Sequence, residues 1–216
     1  MTRKALVTAG SRGIGKGISD SLRSIGVDVT STSSKELDTS DISQIDSFTK
    51  KQEPVDILVL NTGGPPAKSF YDITQKDCET YHNQLFYGFL KMVQEIQIKD
   101  NGYIFLVSSY NIKEPDSKLM LSNAYRIAFV SVLKCLSKIL GERGITCINI
   151  APGPVKTDRL LDLCKDMQAL ENKIPVKRVG EVKEIGDFVA SIVDKNIKYL
   201  TGVTINFDGG KSNYVL

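Results

Sequence analysis

Six short apolar runs alternate with stretches of helical length along almost the whole chain. The runs lack strict alternation of apolar and polar residues, which is typical of strands buried on both faces. Strands that alternate with helices predict a parallel sheet covered on both sides, with right-handed crossovers. The predicted strands are 4–9, 27–32, 55–61, 103–109, 145–151 and 203–208, and the predicted helices lie near 14–25, 41–52, 74–98, 118–142 and 181–194.

Length and charge narrow the class of protein. A chain of 216 residues without linkers or repeats predicts one α/β domain over 1–216, a doubly wound parallel sheet in three layers. The net charge of +3 without a basic run argues against nucleic acid, and no apolar window is long enough to cross a membrane. Four scattered cysteines and a single histidine predict no metal site and a cytoplasmic protein.

The segment TAGSRGIG, residues 8–15, follows the first predicted strand and opens the first helix. Gly10, Gly13 and Gly15 permit a tight turn and a close backbone approach, while free N–H groups at a helix start attract an anionic group. A glycine pattern alone also suits an ordinary strand–helix turn. The strand before it and the helix after it favour the phosphate loop of a dinucleotide-binding domain.

Several segments together resemble the short-chain dehydrogenase/reductase family. TAGSRGIG is similar to the T-G-x-x-x-G-x-G fingerprint of that family, and VDILVLNTGG is similar to its D-x-L-V-N-N-A-G segment. Further similarities, in the order of the family, are DTSD at 38–41, IAPGPVKTD at 150–158, RVGEVKEI at 178–185 and YLTGVTINFDGG at 199–210. The resemblance implies a Rossmann-like fold and favours the branch of the 3-oxoacyl-[acyl-carrier-protein] reductases.

The resemblance also implies a set of residues at a nicotinamide cofactor. At the end of the second strand, enzymes that bind NAD carry an acidic residue, whereas this chain has Ser33, Ser34 and Lys35, with Arg12 in the glycine loop. Hydroxyls and cations suit a 2′-phosphate, and we expect no carboxylate that would repel it, so NADP is favoured over NAD. The implied cofactor residues are Gly10, Ser11, Arg12, Gly13, Ile14, Gly15, Ser33, Ser34, Asp38, Thr39, Asn61, Thr62, Gly63, Pro152, Gly153, Val155 and Thr157.

Two departures from the family concern the backbone. Ala9 stands where the family has its first glycine, with glycine shifted to position 10. Little more than SSKEL separates the second strand from DTSD, so we expect the usual helix and third strand of the family to be missing or vestigial.

A third departure concerns the catalytic set, which in the family comprises a serine, a tyrosine, a lysine four residues later and an asparagine. Ser109 occupies the position of the serine. An alignment of LSNAYR with the family helix puts Leu119 and Asn123 where tyrosine and lysine belong, and makes the loop after Ser109 about three residues short. Restoring tyrosine and lysine at these two positions is then expected to raise turnover. Leu85 occupies the position of the asparagine.

Arg126 is the strongest candidate for a substitute group. On a helix, it lies within roughly 60° of Leu119 and Asn123, on the face that the cofactor would contact. A guanidinium there could hold a phosphate or polarise a carbonyl, although a structural role is an equal alternative. Tyr110 and Lys118 are further options. The catalytic candidates are therefore Ser109, Asn123 and Arg126.

The leading functional hypothesis is an NADP-dependent oxidoreductase that transfers hydride between nicotinamide and a carbonyl or alcohol. The alternative is a catalytically impaired dinucleotide-binding protein that acts as a redox sensor or partner subunit, and a Rossmann-like methyltransferase fits the glycine spacing poorly. A homodimer or homotetramer is predicted from helices 74–98 and 118–142, although the same residues could be core contacts. The apolar residues in question are Phe86, Phe89, Met92, Phe129, Val132 and Leu133.

Overall fold

A six-stranded parallel sheet forms the centre of the protein, as seen in a computed structural model that describes residues 2–215. The strand order is β2-β1-β3-β4-β5-β6, and every neighbouring pair is parallel. The strands are β1 (Lys4–Val7), β2 (Asp28–Ser31), β3 (Val55–Leu60), β4 (Ile98–Val107), β5 (Thr146–Pro152) and β6 (Val203–Phe207).

Helices cover both faces of this sheet. One core cluster joins the sheet to α1 and α8, and a second joins the opposite face to α2, α4 and α5, which confirms the Rossmann-like fold in three layers. The helices are α1 (Gly13–Ser24), α2 (Ile42–Thr49), α3 (Gln75–His82), α4 (Gly88–Glu95), α5 (Met120–Ile139), α6 (Asp158–Leu163), α7 (Met167–Asn172) and α8 (Val182–Asp194). None of the helices within residues 2–215 has the length and apolarity needed to span a bilayer.

The segment between β2 and α2 contains neither a helix nor a strand, as its shortness predicts. β2 is consequently the edge strand of the sheet, paired with β1 alone. The chain returns from this edge through α2 to β3, which lies on the other side of β1. The end of β2 therefore meets the turn at 33–36 without a further strand beside it.

The predicted helix 74–98 differs most from the structure. A π-helical turn, Asn83–Tyr87, separates α3 from α4, and α4 ends at Glu95. β4 begins at Ile98 rather than at 103, with Asn101 in a left-handed conformation and an irregular register against the start of β3. The short helices α6 and α7 were not predicted either, because neither is long enough to show helical periodicity.

Most of the residues predicted at a subunit interface belong to the core. Phe89 and Phe129 stack edge to face with ring centroids 5.5 Å apart, and both are fully buried inside the domain. Met92 and Leu133 are buried in the same cluster. The structure therefore supports the alternative of core contacts for these four residues, and only Phe86 and Val132 remain partly exposed.

Candidate active site and cofactor cleft

The glycine loop runs from the end of β1 to the start of α1, at the carboxyl edge of the sheet. Gly13 has a φ of +54°, a conformation that favours glycine. A Cβ at Gly10 would lie 2.8 Å from the carbonyl oxygen of Val7, and one at Gly15 would lie 2.7 Å from Nδ2 of Asn61. The three glycines are thus required by the turn and by the close approach of β3.

Hydrogen bonds tie this loop to the end of β3. The hydroxyl of Thr8 donates to the carbonyl oxygen of Asn61 at 2.6 Å and accepts from the Asn61 backbone N–H at 2.9 Å. Asn61 Nδ2 donates to the carbonyl oxygen of Ala9 at 3.2 Å. Ala9 itself has a φ of +45°, so the position where the family has glycine is a left-handed one. These hydrogen bonds hold the glycine loop rigidly against the end of β3, with backbone strain at Ala9.

A cleft of about 390 Å³ lies above the glycine loop. It extends from Ser34, Asp38 and Thr39 beyond β2 to Thr157 at the start of α6. Gly10, Gly15 and Ser33 line neither this cleft nor the cavity described below. The predicted cofactor residues that line it are Ser11, Arg12, Gly13, Ile14, Ser34, Asp38, Thr39, Asn61, Thr62, Gly63 and Thr157.

The turn after β2 departs from the expected 2′-phosphate site. The carboxylate of Glu36 accepts the backbone N–H of Ser33 at 2.7 Å and the hydroxyl of Ser33 at 2.8 Å. These bonds hold the pKa of Glu36 below its usual range. The expectation that no carboxylate is near this site was wrong, because a turn of three residues folds the Glu36 side chain back onto Ser33.

A second cavity, of about 360 Å³, adjoins the cleft, and both are lined by Ile14, Asn61, Thr62, Thr157 and Arg159. It is bounded by Ser109 at the end of β4 and by the segment after β5. The predicted cofactor residues Pro152, Gly153 and Val155 line it too. The two spaces form one groove along the carboxyl ends of the strands, which suits a dinucleotide with its reactive end near Ser109.

Two serine hydroxyls in the cavity have a free proton. Ser109 Oγ accepts the backbone N–H of Asn111 at 3.2 Å, and Ser122 Oγ accepts Nε of Arg126 at 3.2 Å. Neither hydroxyl donates to an acceptor within residues 2–215. Both can therefore donate to an oxygen atom of a bound molecule.

Arg126 is buried among neutral acceptors. Besides Ser122 it contacts the carbonyl oxygen of Val107 at 2.9 Å through Nη1, and those of Gly63 at 3.1 Å and Thr62 at 3.4 Å through Nη2. Burial, and then the nearby Arg159, lower the pKa of Arg126 to about 10. The guanidinium thus stays charged near neutrality, ties α5 to the ends of β3 and β4, and lines the cavity.

Asn123 occupies a different environment. Its Nδ2 donates to the carbonyl oxygen of Asp116 at 2.8 Å, and the residue is absent from the cavity lining. Leu119 precedes α5 and contributes only an apolar surface to the cavity. Ser122 and Arg126 are four residues apart, like the tyrosine and lysine of the family, and both line the cavity.

This register is three residues later than the one that the alignment chose. It removes the apparent shortening of the loop after Ser109, which was the signal that could have identified Ser122 from the sequence. The spacing S-x-x-x-R at 122–126 was visible as well.

Sequence reasoning also missed Arg159 and Asn111. Arg159 donates through Nη1 to the carbonyl oxygen of Gly64 at 2.9 Å and through Nη2 to that of Pro65 at 2.8 Å, so it links α6 to the loop after β3. Asn111 is buried in the cavity wall, and its Oδ1 has no hydrogen-bond partner within residues 2–215. Such an orphaned acceptor fits a site that binds a polar ligand.

The remaining positions considered for catalysis are Tyr110, Lys118 and Leu85, and only Tyr110 lines the cavity. Tyr110 lines the cavity, and burial, followed by the nearby carboxylates of Asp116, Glu114 and Asp208, raises its pKa. Lys118 is exposed and lies outside the cavity lining. Leu85 is buried within the π-helical turn.

Comparison with known proteins agrees with this geometry. Residues 36–212 match the family model described as "Enoyl-(Acyl carrier protein) reductase". A 3-oxoacyl-[acyl-carrier-protein] reductase of Buchnera aphidicola is 28% identical over 234 residues, which cover 95% of this chain and 96% of that relative.

Two solved structures share the whole fold. A blue fluorescent protein from a metagenomic library, in complex with NADPH, is 26% identical, with a TM-score of 0.90 and 98% of both chains covered. A short-chain dehydrogenase from Burkholderia cenocepacia, in complex with NADP, is 26% identical, with a TM-score of 0.89 and 97% of both chains covered. From the family model, the relative and these structures, the chain belongs to the short-chain dehydrogenase/reductase family, in its 3-oxoacyl-[acyl-carrier-protein] reductase-like branch.

Proposed function

We propose that the protein is an NADP-dependent oxidoreductase that transfers hydride between nicotinamide and a carbonyl or alcohol, as a 3-oxoacyl reductase does. The observation that carries this proposal is the shared cavity of Ser109 and the segment 152–157, which adjoins the glycine-loop cleft. A protein that only binds a dinucleotide has no need of serine hydroxyls with free protons beside the nicotinamide end.

The cofactor residues follow from the groove. Backbone N–H groups at Gly13 and Ile14 would hold the pyrophosphate at the start of α1. Thr157 and the segment 152–155 would hold the nicotinamide end. NADPH, when bound, supplies the hydride. The NADPH and NADP complexes of two structural relatives support NADP over NAD.

Ser109 and Ser122 would hold the oxygen of the reacting carbonyl. Each hydroxyl oxygen accepts a hydrogen bond from an N–H group of the protein, so its own proton is available to the substrate. Negative charge would develop on this oxygen during the reduction, and the Arg126 cation behind Ser122 would stabilise it. Ser122 would donate the proton to the new alkoxide and would be reprotonated from solvent, and Tyr110 is the alternative donor.

The alternative function, a redox sensor without turnover, rests on the missing tyrosine and lysine. The similar proteins include a reductase, which favours an enzyme over a sensor. An assay of NADPH oxidation at 340 nm with a panel of aldehydes, ketones and 3-oxoacyl esters tests both ideas. We expect turnover with at least one class and its loss in Ser109→Ala. Tight NADPH binding without consumption of any carbonyl would favour the sensor.

Assembly and location are proposed on separate grounds. Tyr87 and Ile127, on the π-helical turn and α5, are exposed apolar side chains on the helices predicted to pair in a homodimer or homotetramer. Light scattering at micromolar concentration tests this, and a monomer alone would contradict it. A cytoplasmic location is supported by the four cysteines, all of them unpaired thiols.

A further inference from the structure

Two arginine side chains line the same cavity without an ionic partner. Arg126 is buried and Arg159 is half-buried. Within residues 2–215, neither guanidinium forms an ion pair with an aspartate or glutamate. Two cations at one site without a counter-ion are costly, because burial removes them from water and each repels the other.

Arg159 has unused hydrogen-bonding capacity. A guanidinium carries five N–H donors, and Arg159 uses its two Nη atoms on the carbonyl oxygens of Gly64 and Pro65. The remaining donors have no acceptor in the part of the chain that the structure describes. Burial lowers the pKa of Arg159, as expected for a cation that lacks a close partner.

The surroundings favour an anion rather than a neutral group. Carboxylates lie near the cavity, but within residues 2–215 none of them forms an ion pair with either arginine. Asp116 accepts the backbone N–H of Lys118 at 2.8 Å, Asp208 accepts the backbone N–H groups of Gly210 and Ser212 at 3.0 Å each, and Asp162 on α6 is exposed. Leu160, Leu163 and Leu170 complete the wall with apolar surface. The cavity thus combines a positive end with an aliphatic side.

We propose that the reacting carbonyl compound carries a carboxylate held by Arg159, so that aliphatic oxo acids are preferred over their esters and thioesters. This inference rests on the proposed function, because it names the substrate class of the same cavity. Arg159 acts as a specificity-determining residue, while the carbonyl oxygen remains with Ser109 and Ser122. A guanidinium suits a carboxylate because its planar N–H groups match the two carboxylate oxygens.

The cofactor is a second anion that Arg159 could bind in place of the substrate carboxylate. Arg159 lines the cofactor cleft as well as the cavity, so the pyrophosphate of the cofactor is the competing anion. The two sources differ in one measurable way. A substrate carboxylate binds beside the cofactor, whereas an anion that uses the pyrophosphate site is displaced by it.

Binding of an unreactive probe tests the proposal without turnover. Calorimetry would compare hexanoate with hexanamide on the NADP-saturated protein. We expect hexanoate to bind about 10- to 100-fold more tightly, and Arg159→Gln to remove the difference. Arg159→Lys should retain part of it. Arg143→Gln is the matched control, since Arg143 also donates to a backbone carbonyl but lies outside the cavity lining.

Three results would overturn the proposal. These are equal binding of hexanoate and hexanamide, binding of neither, or displacement of hexanoate by NADP. A loss of NADP affinity in Arg159→Gln, with the preference for hexanoate intact, would likewise assign Arg159 to the cofactor. Melting curves of each variant show whether the fold is retained.

Turnover provides the second arm. We expect 3-oxohexanoate to be reduced in preference to its methyl ester, and Arg159→Gln to raise KM for the acid about 10- to 100-fold with little change for the ester. If neither compound is reduced, the proposed function fails, yet the hexanoate measurement still decides whether the anion site exists. If the ester is reduced as well as the acid, the function stands and the carboxylate preference is rejected.

Discussion

The carboxylate of Glu36 accepts both hydrogen-bond donors of Ser33, the backbone N–H at 2.7 Å and the hydroxyl at 2.8 Å. The hydroxyl of Ser33 is one of the groups that the sequence assigns to the 2′-phosphate of NADP. The two hydrogen bonds from Ser33 lower the pKa of the Glu36 carboxyl. If Ser33 binds the 2′-phosphate, the Glu36 side chain has to rotate away first, because it already accepts both donors of Ser33.

Removal of this charge should favour NADP. We expect Glu36→Gln to tighten NADP about 3- to 10-fold, because the competing carboxylate is lost, and to leave NAD almost unchanged. Calorimetric titration with both cofactors measures the effect. Glu142→Gln is the control, as Glu142 is exposed and lies outside the cofactor cleft. Weaker NADP binding in Glu36→Gln would mean that the carboxylate holds the cofactor instead.

The two serine hydroxyls should matter for chemistry more than for binding. We expect Ser109→Ala and Ser122→Ala each to lower kcat about 10- to 1,000-fold, because each removes a donor to the developing oxyanion. The Kd for NADPH should change little. Steady-state kinetics together with fluorescence titration of NADPH separate the two quantities. Unchanged kcat in Ser122→Ala would transfer the role of proton donor to Tyr110.

Restoration of the family pair distinguishes the two registers of α5. The alignment favoured Leu119→Tyr with Asn123→Lys, whereas the cavity lining favours Ser122→Tyr with Arg126→Lys. We expect the second double variant to raise turnover of a simple ketone about 10-fold or more, since general acid help is worth roughly 10²–10⁴.

The first double variant is the matched control and should show no gain, because Asn123 is held by the carbonyl oxygen of Asp116. A gain in that variant alone would reinstate the register of the alignment. Arg126→Lys loses some of the guanidinium contacts to three carbonyl oxygens, so a melting curve of each variant must accompany the rates.

The fold was predictable because its signals are local. Apolar runs, a glycine loop and the short SSKEL segment together identify the sheet, the cofactor edge and the missing third strand. The break at 83–87 was not predicted, since a single π-helical turn of five residues is too short to show a periodic pattern of its own. The early start of β4 at Ile98 was not predicted, because Asp100, Asn101 and Gly102 resemble a turn.

The candidate site was predictable in its positions more than in its contacts. Ser109 was predicted from the strand that precedes it, and it lines the cavity. The cofactor residues were predicted from the loops that follow the strands, and most of them line the cleft or the cavity. Ser122 was not considered because the family helix was aligned three residues too early, as the apparent shortening of the loop after Ser109 could have shown. Glu36 was missed because charge was counted only at the strand end, although Ser33 and Glu36 form the S-x-x-E pattern in which the acidic side chain returns to the first residue.

The backbone of Ala9 has a φ of +45°, in the left-handed region. A left-handed conformation costs an alanine about 1–2 kcal/mol, and glycine avoids this cost while losing roughly 0.4–1 kcal/mol through the greater freedom of its unfolded chain. We therefore expect Ala9→Gly to raise the free energy of unfolding by about 0.5–1 kcal/mol, and the melting temperature by about 1–4 °C. Calorimetry measures both. Ala124→Gly, at an exposed position inside α5, should have the opposite sign and lower the stability by about 1 kcal/mol. If the two variants lose stability alike, Ala9 is not left-handed in solution, and the family glycine at this position serves the approach of the cofactor rather than the turn.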